Sequence, residues 1–349
     1  MNVIAIDIAS EVSSVCILDS KGRIKLEERI PTKISKLKAL IKQVPRPRKL
    51  VFEEGTQAAW LWRELNFLCD DTLVCDPRQA ANLSGHFKND KNDARNLGLR
   101  AQANLLKPVW HGGAELQALR ESVRTYQLFT EQSTRLKNQL KAVFRGVGLR
   151  VGTEPYSSKA RKEIVKDLKM PIHRERVQRT GAVLDEVTKQ RILALKTMVR
   201  LARKSQFYKP LKTIDGIGPI FAAMFISEVG DPHRFRTREQ LWSYSGLAVS
   251  THSSSEFEIK NGALVRKTKS VQTRGLVTAY NTTLKYVFKQ SALTLSRTKW
   301  LEQHRKLLLN SKNPNNALLT LARKLASVML HIAKTGEKYD IAKAFKDTK

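Results

Sequence analysis

The sequence predicts an α/β domain over residues 1–110, a helical arm over residues 111–207 and a mainly α-helical domain over residues 208–349. Two patterns support this prediction. In the first hundred residues, short apolar runs typical of buried strands alternate with amphipathic stretches typical of helices. Farther along the chain, apolar residues recur at steps of three and four over stretches much longer than an ordinary strand.

The first region is expected to form a mixed sheet with helices on its faces. The apolar run 3–8, which contains Asp7, predicts a buried strand, and the run 12–18 is expected to be its hairpin partner. Further strands are predicted over 49–54 and 72–75. The amphipathic stretches of this region predict helices, which we place at 35–44, 58–69 and 90–105.

The middle region is expected to form an antiparallel coiled-coil arm. Two long amphipathic stretches, 115–147 and 177–203, predict its helices, and the polar stretch 152–162 between them reads as a loop. Basic residues decorate the first helix. Such charges usually form a solvated face, but the charge of the whole chain makes contact with nucleic acid a second interpretation; the candidates are Arg135, Lys137, Lys141 and Arg145.

The last region is expected to be helical around a polar insert at 250–270. It begins with TIDGIGP at 213–219, in which Gly216-Ile-Gly218 resembles a helix-hairpin-helix turn whose backbone amides can hold phosphate; a plain turn between helices fits equally well. The final helix is expected to begin after the cap Asn313, with Pro314 in its first turn, and to end at Gly336.

The charge of the chain points to a polyanionic partner. Among 349 residues, 63 are Lys or Arg and 32 are Asp or Glu, a formal net charge of +31. Phosphates offset the self-repulsion of such a protein and release counterions on binding, so we expect nucleic acid as the partner. A basic ribosomal-type or histone-like protein without chemistry would show the same charge.

The cysteines and the hydropathy limit the class of protein. Cys16, Cys69 and Cys75 have no paired spacing, so neither a disulfide framework nor a zinc site is expected, in agreement with a reducing cytoplasm. The start MNVIAIDIAS lacks the basic region of a signal peptide, and no apolar run reaches the length of a membrane span. We therefore expect a soluble intracellular protein without a membrane partner.

Four acidic residues are candidates for a metal site. Asp7 lies in the first predicted strand and Glu53 at the end of a later one, while Asp90 and Asp93 begin a helix and share one of its faces. In a mixed sheet these positions can converge, and acids that cluster require a cation. The alternative is structural, because aspartates at a helix start commonly cap it, and Glu53 and Glu54 could be surface residues.

Seven motifs, in order, carry a resemblance to a known family. They are AIDIAS, FEEGTQAAWLWREL, KNDKNDARNL, TRLKNQLKAVFRGVGL, TIDGIGP, RFRTREQLWSYSGL with THSSS, and LARKLASVMLHIAKTGEKYD. Over nearly the whole chain the sequence resembles the bridge-RNA-guided insertion-sequence transposases, relatives of the Piv invertase. That resemblance implies an RNase H/RuvC-like DEDD domain, the helical coiled-coil middle and a mainly α C-terminal serine transposase domain.

The resemblance also implies a division of labour between site residues. Its four metal-binding acids fall on Asp7, Glu53, Asp90 and Asp93, with Mg²⁺ or Mn²⁺ as cofactor. Glu53 is preferred because it stands eight residues before Leu61, as in the family, and Glu54 remains an alternative. Counting from Gly246-Leu247 places the nucleophilic serine at Ser254, although Ser255 stands where the family has glycine. Ser253 and Ser255 therefore stay open.

The partners follow from the same resemblance. They are double-stranded donor and target DNA, a non-coding bridge RNA that selects the sites, and further copies of the chain in a tetramer. We expect such a protein in the bacterial or archaeal cytoplasm, at the nucleoid. Basic residues around the serine region are candidates for gripping DNA phosphates, with ordinary surface charge as the alternative: Arg234, Arg236, Arg238, Lys267 and Lys269.

Three other interpretations compete. A RuvC-like nuclease or junction resolvase would use the acids without serine chemistry, and a nucleic-acid-binding scaffold would use neither. A sugar-kinase-like ATPase also opens with a sequence such as IAIDIAS, but Asp7-Ile-Ala-Ser10 lacks the glycine of a phosphate turn, and such an enzyme gives no reason for the positive charge.

Overall fold

The computed structural model describes residues 1–77, 90–252, 257–260, 263–266, 272–310 and 313–345. The chain divides into two compact units, 1–117 and 118–349.

A five-stranded mixed sheet forms the centre of the first unit. Its strands lie in the order β3-β2-β1-β4-β5. The first three form an antiparallel meander, whereas β4 and β5 run parallel to β1. This arrangement confirms the predicted α/β character. The strands are β1 (Asn2–Asp7), β2 (Val12–Leu18), β3 (Ile24–Pro31), β4 (Arg48–Glu53) and β5 (Asp71–Cys75).

Helices cover both faces of this sheet, because alternate strand residues point to opposite sides. On one face, Ile4, Ile6 and Phe52 pack with apolar residues of α1 (Ile34–Gln43) and α2 (Ala58–Leu65). On the other face, the residues in between pack against α3 (Asp90–Gln102); this second cluster includes Val3, Ala5, Val51, Ala94, Leu97 and Ala101.

Strand β3 was not predicted. Its sequence, IKLEERIP, places Ile24, Leu26 and Ile30 on one face, but Glu28 interrupts the alternation and only Ile30 is buried. It is held by its ladder with β2 at the edge of the sheet, where charged residues discourage pairing with another chain. Two predicted helix ends were also too late: α2 ends at Leu65 and continues as a 3₁₀ turn, and α3 ends at Gln102.

Two long helices dominate the start of the second unit, α4 (Ala114–Gly146) and α6 (Pro171–Ala202). Both contribute apolar residues to common clusters; Phe144 of α4 and Leu184 of α6 belong to one of them. The stretch predicted as a loop contains the start of a short helix, α5 (Ser158–Ile164), so the loop prediction was too broad. The antiparallel coiled coil and the three-domain division stay predictions.

The buried Arg161 fastens α5 to α6. Its Nη1 donates to the carbonyl of Pro155 at 3.0 Å, and its Nη2 pairs with Asp185 on α6. The guanidinium lies across Gly181, where an added Cβ would sit 2.2 Å from Arg161 Nε. Only glycine at position 181 leaves room for the Arg161 side chain to cross α6.

The remainder of the second unit is mainly helical, and the predicted final helix is confirmed. In α12 (Pro314–Thr335), the Asn313 side chain accepts from the backbone N–H of Asn315, and Gly336 ends the helix at φ +73°. The other helices are α7 (Tyr208–Leu211), α8 (Pro219–Val229), α9 (Arg238–Tyr244), α10 (Thr282–Ser296), α11 (Leu301–Leu309) and α13 (Ile341–Ala344).

The polar insert predicted at 250–270 contains strands. β6 (Val249–His252) pairs with β9 (Gln272–Leu276), and β7 (Phe257–Lys260) pairs with β8 (Ala263–Arg266), each time antiparallel. The C-terminal region is therefore not purely helical. The polar sequence gave no signal for these strands, which are identified by their backbone pairing.

None of the helices in the described part of the chain combines the length and the apolar character needed to cross a membrane.

Candidate metal centre

Asp7 and Glu53 lie side by side at one end of the sheet. Strands β1 and β4 are parallel neighbours, and Ile6 is in register with Phe52, so the next residue of each strand is one of these two acids. Both continue the strand face that carries Ala5 and Val51 against α3. Neighbouring strands are about 4.8 Å apart, which brings the two carboxylates within mutual electrostatic reach.

Helix α3 brings Asp93 to the same end of the sheet. The helix packs through Ala94, Leu97 and Ala101. Its approach is close at Gly98, where an added Cβ would lie 3.0 Å from Leu18 Cδ1 and 3.2 Å from Ala5 Cβ. The first turn of the helix, which contains Asp93, is thereby held near the ends of β1 and β4.

The environment of Glu53 reflects this convergence. Burial raises the pKa of its carboxyl, and the negative charges of Asp7 and Asp93 raise it further. Arg100, in the last turn of α3, lowers the pKa of Glu53, but its effect is smaller than that of either acid. Three acids from two strands and a helix therefore share one electrostatic site.

Asp76 was not predicted as a site residue, but its negative charge also raises the pKa of Glu53. This residue directly follows β5, the third of the parallel strands. The signal that would have found it is the rule that carboxyl ends of parallel strands meet at one edge of the sheet.

Glu54 is engaged elsewhere. Its Oε2 lies 2.7 Å from Nε2 of His111, whose side chain is 5% exposed and stacks on Trp62 with 5.8 Å between ring centroids. The backbone N–H of Glu54 donates to the carbonyl of Cys75. The two adjacent glutamates thus have different partners: Glu53 interacts with Asp7 and Asp93, and Glu54 pairs with a buried histidine.

Asp90, the fourth predicted ligand, is the first residue of α3, three positions before Asp93. Its side chain lies outside the described residues. Among the side chains that are described, no three His, Cys, Asp or Glu residues stand close enough together to form a ready-made metal site.

The predicted basic residues of α4 fall into two environments. Lys137 and Lys141 each place Nζ over the ring of Tyr156, at 5.1 and 5.4 Å from its centroid. Arg135 and Arg145 are exposed. All four remain candidates for contact with nucleic acid.

The arginines before the insert also differ from one another. Arg234 donates to the carbonyls of Val229 and Glu228 at 3.0 Å each, so its guanidinium caps the C-terminal end of α8. Arg236 is exposed, and Arg238 is exposed beside Glu239, 2.9 Å away. Ser254, its neighbours Ser253 and Ser255, and Lys267 and Lys269 lie outside the described residues.

The turn at Gly216 is a sharp connection before α8. Gly216 adopts φ +82°, Ile217 is buried, and α8 begins at Pro219 after the extended Gly218. This geometry fits either interpretation of the turn.

Two protein-family models match the chain. One, described as "Transposase IS116/IS110/IS902 family", matches residues 208–306. The other, a DEDD-type model of IS110 elements described as "Transposase", matches residues 4–148, which contain all four predicted acids. Together the two matches cover most of the chain.

Curated relatives are similar over much of their length. The transposase for insertion sequence element IS1111A of Coxiella burnetii is 22% identical over 351 residues, which cover 97% of this chain and 91% of that protein. Two putative transposases of Sinorhizobium fredii are also similar. One is 24% identical over 73% of this chain and 65% of its own length; the other is 22% identical over 95% and 88%.

Proposed function

We propose that this chain, which belongs to the IS110/IS116 family of insertion-sequence transposases, cuts and rejoins DNA at a divalent metal site formed by Asp7, Glu53, Asp90 and Asp93. The observation that carries the proposal is the shared environment of three of these acids. Asp7 and Glu53 end neighbouring parallel strands, and Asp93 adds its charge from α3.

The residues present fit a hard divalent cation such as Mg²⁺ or Mn²⁺. Carboxylate oxygens are the ligands that these ions prefer. Burial raises the pKa of Glu53 most, and the negative charges of Asp7 and Asp93 raise it further, because the acids repel one another when no cation is bound. When bound, such ions neutralise charge on a phosphodiester and lower the pKa of an attacking hydroxyl. Glu53 rather than Glu54 is the proposed ligand, because Glu54 is paired with His111.

The mixed sheet with acids at one end is in line with the RuvC-like fold that the resemblance implies. In that arrangement, β1 and β4 fix Asp7 and Glu53, whereas α3 supplies Asp93 and the proposed fourth ligand, Asp90. The close packing at Gly98 holds the helix to the sheet. The chain's contribution is thus to position the oxygen ligands before the DNA arrives.

We further propose Ser254 as the nucleophile, on the strength of the family resemblance. Its Oγ would lose its proton and bond to phosphorus, while the ester oxygen of the broken strand leaves as a hydroxyl. The new serine–phosphate bond retains the energy of the old one, so a later attack by a strand hydroxyl rejoins DNA without ATP. No base is assigned, and Ser253 and Ser255 are the alternatives.

The same resemblance supports a guide RNA, paired with donor and target DNA, and a tetramer. Pairing would select the sites, which lets the protein bind backbones without reading sequence. The net charge of +31 suits such binding. A protein with these substrates would act at the nucleoid in the cytoplasm.

The test is a cleavage assay on purified protein with its RNA and a labelled duplex carrying the element ends, with and without Mg²⁺. We expect metal-dependent cutting that falls by a factor on the order of 10² or more in Asp7→Asn and Glu53→Gln. Glu54→Gln is the matched control and should keep most of the activity. Full-rate cutting by Asp7→Asn would overturn the proposal.

The serine is tested in the same assay by its covalent product. The DNA-linked protein should disappear in Ser254→Ala and persist in Ser253→Ala and Ser255→Ala. Strand cutting without any protein-linked DNA would favour a nuclease mechanism and contradict the nucleophilic serine.

A further inference from the structure

A cavity of about 570 Å³ lies between the β6–β9 pair and helices α10 and α12. We call it the hairpin cavity. It is lined by Val249, Gly275 and Leu276 of the strands, by Lys289 of α10 and by residues of α12 as far as Arg323. Its described lining residues include two cations and no acid. Its volume lies in the range of ordinary ligand sites.

Arg323 is held in place at the wall of the hairpin cavity. Its Nε donates to the carbonyl of Leu247 at 2.7 Å, and its guanidinium carbon is 6.0 Å from the ring centroid of Trp242. The indole N–H of Trp242 in turn donates to the carbonyl of Arg323 at 3.0 Å. Nη2 is enclosed by protein, and no residue in the described part of the chain accepts a hydrogen bond from it. A guanidinium fixed at the wall of a cavity favours an anionic ligand through its positive charge.

Other cavity groups favour the same kind of ligand. Lys289 is exposed on α10 and adds a second positive charge. Asn315 and Asn316 present side-chain amides at the N-terminal end of α12, where the helix dipole adds partial positive charge. These groups can hold a phosphate and hydrogen-bond to a polar ring edge.

The remaining wall is apolar. Val249 and Leu276 contribute from the strands, and Leu318 and Leu319 from α12. A free inorganic anion gains nothing from such a wall, whereas a nucleobase or sugar buries apolar surface against it. The cavity thus combines a cationic end with an apolar surface, the two properties needed for a nucleotide.

We propose that the hairpin cavity binds one nucleotide of a DNA strand, with its phosphate on Arg323 and Lys289 and its base against the apolar wall. The choice of DNA rests on the proposed function, since β6 leads directly to the segment of the proposed nucleophile, Ser254. The cavity would hold one nucleotide of an unpaired strand and so limit the movement of that strand during exchange.

The test measures binding of a fluorescent single-stranded oligodeoxynucleotide of mixed sequence to the full chain, in EDTA and at several salt concentrations. Lys289→Gln should weaken binding about threefold or more and make the slope of log K against log salt shallower by about 0.7. Lys299→Gln removes an equal charge from an exposed position that does not line the cavity. It should change the affinity and the salt slope less than Lys289→Gln does.

A second pair of variants tests the cavity without changing charge. Leu319→Trp fills the apolar side and should also weaken binding, whereas Leu309→Trp, at a side chain that is 87% exposed, should not. Circular dichroism and melting curves identify any variant that fails to fold. Arg323 also bonds to the Leu247 carbonyl, so Arg323→Lys can affect folding. The test of the cavity is therefore decided by the Lys289 and Leu319 variants.

Two outcomes would overturn the proposal. One is equal behaviour of the cavity variants and their controls; the other is an equal or larger loss for RNA of the same sequence, which would remove the assignment to DNA. Because EDTA prevents metal-dependent cutting, this result is independent of the carboxylate site. A protein without cleavage activity could still bind a strand in the cavity, and the reverse also holds.

Discussion

At the scale of single residues, two adjacent glutamates have different chemistry. Glu53 shares its surroundings with Asp7 and Asp93, and Glu54 pairs with His111. The family pattern pointed to Glu53, but no sequence pattern shows that a histidine 57 positions later pairs with Glu54. Only the fold brings that partner into place.

The raised pKa of Glu53 predicts how the stability of the metal-free protein depends on pH. Its folded-state pKa lies above the ordinary value, so the favourable contribution of the protonated form is present at low pH and is lost as pH rises through the folded pKa. At pH values above the folded-state pKa, the ionised carboxylate destabilises the fold. Glu53→Gln mimics the protonated acid and should raise Tm, by about 2–4 °C for each kcal/mol gained.

The same variants should respond differently to metal. Saturating Mn²⁺ at about 100 times Kd should stabilise the wild type by about 2.7 kcal/mol, and Glu54→Gln by a similar amount. Glu53→Gln should show a much smaller gain. Differential scanning calorimetry in EDTA and in Mn²⁺ measures all three proteins. An equal metal response of both glutamine variants would contradict the assignment of Glu53.

At the scale of elements, the sequence predicted structure wherever an apolar face defines it. Strand β1 and helix α12 were correct in kind, and the caps of α12 were correct by residue. Strands β3 and β6 to β9 were missed, since a charged edge strand and a largely polar segment give a weak apolar pattern and are identified by their backbone ladders. Asp76 was missed, although it follows a predicted strand.

The crossing of Arg161 over Gly181 gives a prediction for the helical region. Alanine normally favours a helix over glycine by about 1 kcal/mol. At Gly181 the added methyl group would instead collide with Arg161, so Gly181→Ala should lower the free energy of unfolding by about 1–3 kcal/mol. Denaturant unfolding measures the difference.

The matched control is Gly146→Ala, at the last residue of α4, where an added Cβ meets nothing within 4 Å. That variant should be neutral or slightly more stable. Stabilisation by Gly181→Ala would show that the guanidinium does not hold its place across the helix.

At the scale of the whole molecule, binding to nucleic acid requires positive charge, whereas the proposed catalytic site requires a cluster of negative charge. The chain carries a net charge of +31, yet it collects acids at one end of its sheet. The positive surface suits binding to nucleic acid of any sequence, and the acids suit a cation between protein and phosphate. The sequence predicted both features from residue counts and strand order. It did not reveal the hairpin cavity, whose residues come from distant elements.

The most direct test of the metal site is anomalous diffraction from crystals grown with Mn²⁺. We expect an anomalous peak within coordination distance of the carboxylates of Asp7, Glu53 and Asp93, with Asp90 as the fourth ligand and Glu54 still paired with His111. A manganese peak elsewhere, or none near these acids at saturating Mn²⁺, would contradict the central claim.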